Sequence, residues 1–410
     1  MTTQSMPLIG IVGKPNVGKT SLFKALTLAD VKIANYPFTT TYDPNIGIGY
    51  VSVKCVCREL GVEDNPRNSV CIDGTRFIGV KVIDIGGLVP GAYMGRGIGN
   101  LFLDHIRRAD VLLHVIDVSG STDAEGNIIG PGKHDPMEDI RFIEEELSMW
   151  FFNILKRNWR SIVNRIRAGR EKPIDVLSEM LSGLKIRREH IKEALREAGL
   201  SEDDIIKVKD DDVQRFANKL MKISKPMIVV ANKIDIDPGE DNYKELMKKL
   251  DLPVIPCCCV AEIALKMAAK NGLIKYVPGE SDFKIIDSSK LTSEQEKALA
   301  WIKENILEKY GGTGVQKAIN TAVFDVLNMI VVFPVEDEYK YTDHHGNVLP
   351  DAILVDKGIT IKKFAEKIHT ELAETFIYGI VIRDGKLERV GADFILGNRD
   401  IVKIVAAKSR

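Results

Sequence analysis

Three short segments carry residue types spaced for nucleotide chemistry. Gly13-Lys14-Pro15-Asn16-Val17-Gly18-Lys19-Thr20 matches the pattern G-x-x-x-x-G-K-[ST] in full. Glycines let backbone N–H groups curl around phosphate oxygens, and the N-terminus of a following helix adds partial positive charge. Lys19 would reach the β- and γ-phosphates, and the Thr20 hydroxyl would bind Mg²⁺. Gly13, Pro15, Asn16, Val17, Gly18, Lys19, Thr20 and Ser21 are the expected nucleotide-contacting set. The second segment is Asp84-Ile85-Gly86-Gly87. Asp84 could hold Mg²⁺ through water, and the backbone N–H of Gly87 could sense the γ-phosphate. The third is Asn232-Lys233-Ile234-Asp235. The Asp235 carboxylate can accept two hydrogen bonds from guanine N1–H and N2–H₂, a pattern adenine does not offer. The Lys233 stem can lie along the base plane, and Asn232 can tie this loop to the phosphate loop. The last two patterns are common by chance when alone. In this order behind a complete phosphate loop they are specific.

The elements around these segments fit that reading. Pro7–Val12 is a short apolar run ahead of the glycine-rich turn, and Thr20–Leu26 reads as a helix. Further apolar strands are expected at Ile46–Val53, Phe77–Ile83, Val111–Val118 and Met227–Ala231, buried on both faces in a doubly wound, mostly parallel α/β sheet, and a helical stretch returns after Val254–Pro256. The interval from Asp84 to Asn232 far exceeds the roughly 30 residues of one βαβ crossover. Apolar residues from Ile140 to Ile166 recur at helical steps, so a helical subdomain is expected at 135–222, interrupting a G domain of 1–134 and 223–328. Strand-like runs at Ile330–Phe333, Tyr378–Ile382 and Ile401–Val405, with an amphipathic helix at Thr360–Thr370, give a separate α+β unit at 329–410. Thr292-Ser293-Glu294-Gln295 is a capping box, and a second helix is expected from Val315 to Met329. The net charge of −1 excludes a strongly basic nucleic-acid coat and an acidic disordered chain. No apolar run approaches the ~18 residues of a membrane span. Six cysteines are too few for a disulfide scaffold, and no signal peptide is evident at the N-terminus, so a reducing cytoplasm is expected.

Asn35-Tyr36-Pro37-Phe38-Thr39-Thr40-Thr41, Pro44-Asn45-Ile46-Gly47 and Asp84–Ala92 together resemble the Obg family of GTPases, most closely the Obg-like (YchF-type) branch in its archaeal form. The likeness extends over nearly the whole chain. It implies that 35–45 is a first switch loop in which Thr40, by the register of Tyr36-Pro37-Phe38, closes on Mg²⁺ and the γ-phosphate. Lys19, Thr40 and Gly87 are then the catalytic set, and Thr20, Thr40 and Asp84 the metal-binding one. Many small GTPases place a water-orienting glutamine after D-x-x-G. Leu88 stands there, as in the family, so slow intrinsic hydrolysis is expected, with a conformational change, a cation or a partner supplying the missing group. Asn16 is the residue type with which several GTPases use K⁺; a loop-capping asparagine is the alternative. The glycine-dense stretch around Arg96 reads as a second switch. YchF-type members are associated with ATP, whereas the intact Asn232, Lys233 and Asp235 favour GTP. The family's fifth element aligns with Cys258-Cys259, leaving a backbone contact from Cys259 to the base. The last 80 or so residues resemble a TGS domain of β-grasp fold, through Val348-Leu349-Pro350, Asp356–Thr360 and Asp400-Ile401-Val402. The expected function is GTP hydrolysis as a ribosome-linked switch, with rRNA or tRNA as partner and a monomer favoured. The alternatives are an ATPase with relaxed base choice and an RNA or ribosome adaptor that keeps nucleotide as a structural ligand.

Other constellations are weaker. Cys55, Cys57 and Cys71 offer three thiolates with no fourth cysteine nearby, and on a strand the first two would share a face as small buried hydrophobes. The Cys257–Cys259 triplet is explained by its position. His105, His114, His134, His344, His345 and His369 fit no metal or nucleophile spacing. Lys156, Arg157, Arg160, Arg165, Arg167, Arg170 and Lys172, with Trp150 and Trp159, could present a basic, partly aromatic face to RNA; a solvated helix face is the alternative.

Overall fold

A computed structural model describes residues 6–28, 45–88, 105–169 and 171–407. In chain order its strands are β1 Leu8–Val12, β2 Ile46–Lys54, β3 Ser69–Ile72, β4 Thr75–Asp84, β5 Val111–Asp117, β6 Met227–Asn232 and β7 Val254–Cys257. There follow β8 Ile274–Lys275, β9 Lys284–Ile285, β10 Met329–Pro334, β11 Ile353–Asp356, β12 Phe376–Arg383, β13 Lys386–Val390 and β14 Asp400–Ala406. The chain divides into two compact units, one of Leu8–Phe23 and Val82–Ala261, the other of Met1–Pro7, Lys24–Lys81 and Glu262–Arg410.

The first of these holds a parallel α/β sheet. Every residue of β1, β5, β6 and β7 is buried, which is why these strands read as unbroken apolar runs. β5 lies between β1 and β6 and β7 continues beyond β6, all parallel. The C-terminal end of β4 runs beside β1, where the Ile85 N–H donates to Ile11 O at 3.1 Å. Residues 13–18, 85–88, 233–235 and 258 follow the carboxyl ends of β1, β4, β6 and β7, the usual ligand edge of such a sheet. Between β5 and β6 the chain builds helices Pro136–Arg167, Pro173–Leu181, Arg188–Glu197 and Asp210–Ser224. The long first helix starts sharply. Asp135 caps it by accepting from Met137 N–H, Pro136 occupies the first turn, and Glu138 and Asp139 suit the positive end of its dipole. Ile140, Ile143, Leu147, Phe151, Leu155 and Ile162 form its buried stripe.

In the second unit β3 and β4 form an antiparallel hairpin, with β2 on the other side of β4. Its C-terminal portion is a five-stranded sheet in the order β11-β10-β14-β12-β13. Helix Ile361–Ile368 covers that sheet through Ile361 and Phe364, packed with Val332, Val355, Val381 and Val402. β10 and β14 are parallel and the other pairs antiparallel, a mixed β-grasp sheet.

Four local expectations change. β2, expected to be buried on both faces, buries only Gly49 and Val51, because it stands at the edge of its sheet. Regular α-helix from Val315 stops at Asn320, and the chain continues as wider π-type turns over Thr321–Val326. There the Asn320 side chain turns to the backbone of Ser52, accepting from its N–H at 2.9 Å. Cys57 is not on a strand, since β2 ends at Lys54 and Cys57 opens the short helix Cys57–Leu60. Finally β13 gives no apolar signal because four of its five residues are exposed on a sheet edge.

Candidate nucleotide site

The phosphate loop joins β1 to the helix Lys19–Thr27. Its glycines are demanded by close approach. At Gly13 (φ +148°) a Cβ would lie 2.4 Å from Val115 O, and at Gly18 (φ +103°) 2.2 Å from Asn232 Nδ2. Lys19 is buried and donates to Lys14 O at 2.7 Å, so its ammonium is folded against the concave side of its own loop. Burial lowers its pKa to about 8, although the Asp84 carboxylate pulls it upward. The Thr20 hydroxyl donates to Asp84 Oδ2 at 3.0 Å. Burial raises the Asp84 pKa, and the Thr20 hydroxyl and Lys19 oppose that rise. A hydroxyl and a carboxylate meeting at the loop's edge are the hard oxygen donors that Mg²⁺ takes. Gly87 packs against Pro15, where a Cβ would be 3.0 Å from Pro15 Cγ. The Leu88 N–H donates to Gly13 O at 3.3 Å, and its side chain is buried. Val17 is buried, and Ser21 is half-buried in the first helical turn.

The Asn232–Asp235 loop is fastened to this loop as its sequence suggests. Asn232 Nδ2 donates to Val17 O at 2.9 Å, and Asn232 Oδ1 accepts from the Cys259 N–H at 3.2 Å. One amide therefore links the phosphate loop, the Asn232–Asp235 loop and the turn after β7. Asp235 is exposed. Its carboxylate contributes, after burial itself, to raising the pKa of the neighbouring Cys258 thiol. Lys233 (φ +64°) donates from Nζ to Asp117 Oδ2 at 2.7 Å.

Several residues at the site carry no motif. Asp117, at the end of β5, accepts from the hydroxyls of Ser119 (2.6 Å) and Ser121 (2.6 Å) as well as from Lys233. Burial opposes its ionisation, but Lys233 and these hydroxyls hold its pKa below the ordinary carboxylate value. Lys14, almost fully buried, donates to Thr122 O at 2.9 Å and pairs with Asp139 at 2.8 Å. His134 Nε2 lies 2.8 Å from the same Asp139 oxygen. Asn16 Nδ2 donates to Gly126 O at 2.9 Å. The segment 119–134 thus grips the phosphate loop from outside. The Ser-Gly-Ser-Thr run behind Asp117 was the one signal in the sequence. His114 is fully buried on β5, and burial first, then Lys19 and Lys14, lowers its pKa to about 3.

Thr39, Thr40, Thr41 and Arg96 lie outside the described residues. The basic stretch is less presented than its sequence suggests. Trp150 is buried, Trp159 is half-buried, and Arg165 is held by Glu171 and Glu179. Lys156 pairs with Asp210 at 2.7 Å, while Arg157 and Arg160 are exposed.

Comparison with known proteins agrees with this geometry. A family model for 50S ribosome-binding GTPases matches residues 8–144. A model of the Obg-like GTPase YGR210-like, G4 motif-containing domain matches 230–337, and the TGS domain model matches 345–406. The chain is 52% identical over 404 residues to an uncharacterized GTP-binding protein of Methanocaldococcus jannaschii, spanning 98% of this chain and 100% of that one. It is 28% identical over 414 residues to the ribosome-binding ATPase YchF of Bacillus subtilis, spanning 96% and 97%. A crystal structure of a GTP binding protein from Pyrococcus horikoshii superposes with a TM-score of 0.76 at 37% identity, covering 97% of this chain and 99% of that one. Among the described residues no helix is long and apolar enough to cross a membrane.

Proposed function

The chain belongs to the Obg-like, YchF-type family of P-loop GTP-binding proteins with a TGS domain, and from that premise we propose that it hydrolyses GTP to GDP and phosphate as a switch linked to cytoplasmic ribosomes. The observation that carries the base choice is the Asn232 amide bridging Val17 and Cys259. It ties the loop that carries Asp235 to the phosphate loop, which supports one carboxylate reading guanine while Lys19 holds the phosphates. Gly13–Ser21 would cradle the triphosphate, and the Cys259 backbone would border the base. Thr20 and Asp84 would hold Mg²⁺ with Thr40, and Mg²⁺ would neutralise charge on the β- and γ-phosphates.

The reaction is in-line attack of water on the γ-phosphorus, with GDP as leaving group. Lys19 would balance the charge that develops on the leaving oxygens, and the Gly87 N–H would donate to the γ-phosphate. Leu88 gives the water no hydrogen-bond partner, which supports a slow intrinsic rate. A group supplied by K⁺ or by the ribosome would quicken it. In this reading hydrolysis belongs to 1–134 with 223–328, ribosome or rRNA/tRNA contact belongs to 135–222 and 329–410, and the protein acts as a monomer. The relative named as a ribosome-binding ATPase supports the ribosome link and makes base choice the point to test.

GTP and ATP dissociation constants, with phosphate release under Mg²⁺ and K⁺ with and without ribosomal subunits, test the reading. Tighter GTP binding, hydrolysis, and cosedimentation confined to the GTP-like state are expected. Equal affinities would favour the ATPase. Binding without any hydrolysis would favour an adaptor with structural nucleotide. Thr40→Ala should keep GDP affinity and lose turnover.

A further inference from the structure

Cys55, Cys57, Asp64 and Cys71 come together outside the nucleotide site. One ligand atom from each lies within 4.8 Å of every other. Cys55 Sγ is 3.2 Å from Asp64 Oδ2, and Cys57 Sγ is 3.8 Å from Cys71 Sγ. A tetrahedral zinc–thiolate centre with Zn–S near 2.3 Å has S···S edges of about 3.8 Å. The donors arrive from four places: the turn after β2 (Cys55), the start of the helix Cys57–Leu60, the loop 61–68 (Asp64), and β3 (Cys71). Small buried hydrophobes would not gather around a carboxylate, so Asp64 is what sets this cluster apart from three cysteines filling a core.

The surroundings suit a charged centre. Arg76 is fully buried and donates to Asp64 Oδ2 at 2.8 Å, to Ser69 Oγ at 2.8 Å and to Leu349 O at 3.0 Å. Three thiolates and a carboxylate around a divalent ion leave two negative charges, and the Arg76 guanidinium offsets one of them. Fixing Asp64 through a second residue in this way is how metal ligands are oriented in known centres.

We propose that Cys55, Cys57, Asp64 and Cys71 bind one divalent ion of the zinc class in a closed, structural, tetrahedral site. Soft thiolates select zinc over Mg²⁺, and four protein donors leave no open position for catalysis. The site's effect is local order. The loop it would pin presents the Asn65 N–H to Val348 O at 2.8 Å and the Arg67 N–H to Pro350 O at 2.7 Å. Arg67 also pairs with Asp343 and Asp351. The metal would therefore stiffen the platform on which the β-grasp portion rests.

The test is elemental analysis of the full-length protein purified under reducing conditions without chelator. About one zinc per chain is expected, with Cys57→Ser and Cys71→Ser each losing it. Because those variants could misfold, cobalt(II) exchange into the unaltered protein is the second measurement. It should give tetrahedral d–d bands and thiolate charge-transfer absorption. Asp64→Cys should keep the metal and strengthen that charge transfer, while Asp64→Ala should weaken binding roughly tenfold or more. Metal below about a tenth of an equivalent after zinc supplementation, or cobalt bands lacking thiolate character, would overturn the proposal. So would a Cys57–Cys71 disulfide recovered from the protein as purified.

Discussion

Replacing Asp139 by alanine should cripple the nucleotide site although Asp139 is not expected to touch nucleotide. Lys14 is 2% exposed and Asp139 3%. The carboxylate accepts from Lys14 at 2.8 Å and from His134 at 2.8 Å on the same oxygen. Removing one member of a buried pair leaves an uncompensated buried charge and costs about 3–5 kcal/mol. Lys14 would then seek water, and the outer turn of the phosphate loop, held also by the Thr122 carbonyl, would open with it. If binding GDP must rebuild that turn, up to about 3 kcal/mol is drawn from affinity, or roughly 150-fold in the dissociation constant. The assay is calorimetric GDP titration beside thermal melting. Lys14→Met combined with Asp139→Leu should restore most of both, because an apolar pair of similar volume replaces a buried ion pair at little cost. A dissociation constant within threefold of the unaltered protein for Asp139→Ala would refute the reasoning. So would a double variant no better than the single.

Other outcomes follow from the same geometry. Asp235→Asn should reduce preference for GTP over ATP by roughly 10- to 100-fold, the worth of a charged hydrogen-bond acceptor, measured as the ratio of dissociation constants. Lys19 loses its proton above about pH 8 in the free protein, against 10.5 ordinarily, and bound phosphates would call the proton back. Affinity for GDP should thus be full below pH 8 and fall as pH rises through the window up to 10.5, by at most tenfold per unit, with proton uptake visible in buffers of different ionisation enthalpy. Flat affinity to pH 9.5 would contradict this. Gly18→Ala should drive its Cβ into Asn232 Nδ2 and cost well over tenfold in nucleotide affinity, read by the same titration.

What could be read from the sequence divides along a physical line. Gly13, Gly18, Asp84 and Asn232 were legible because backbone curvature and fixed hydrogen-bond patterns admit few residue types there. The buried strands β1, β5 and β6 were legible because burial on both faces leaves an unbroken apolar run. Lys14 and Asp139 were not, since an ion pair across distant segments leaves no local periodicity. Asp64 was invisible for the same reason: an aspartate in the polar loop Gly61–Asn68 looks solvated until the fold brings three thiols to it. β13 was missed because an edge strand needs no apolar face, and Trp150 fitted both the apolar periodicity and the basic run, because aromatic spacing alone does not say which side of a helix is buried.

The contacts of segment 119–134 give the insertion a reason to lie where it does. Lys14 bonds to Thr122 O and Asp139, Asn16 bonds to Gly126 O, and Lys233 bonds to Asp117. The phosphate loop and the Asn232–Asp235 loop each place a lysine on the stretch between β5 and the helix Pro136–Arg167, Lys14 on Thr122 O and Lys233 on Ser121 Oγ at 3.3 Å. Asp139 sits in the first turn of that helix, whose core-facing residues then run through Ile162. Lys14 of the phosphate loop and Asp139 of this helix thus join the nucleotide loop to the helical insert by a buried ion pair. An insertion elsewhere on the sheet would have no such link to the nucleotide.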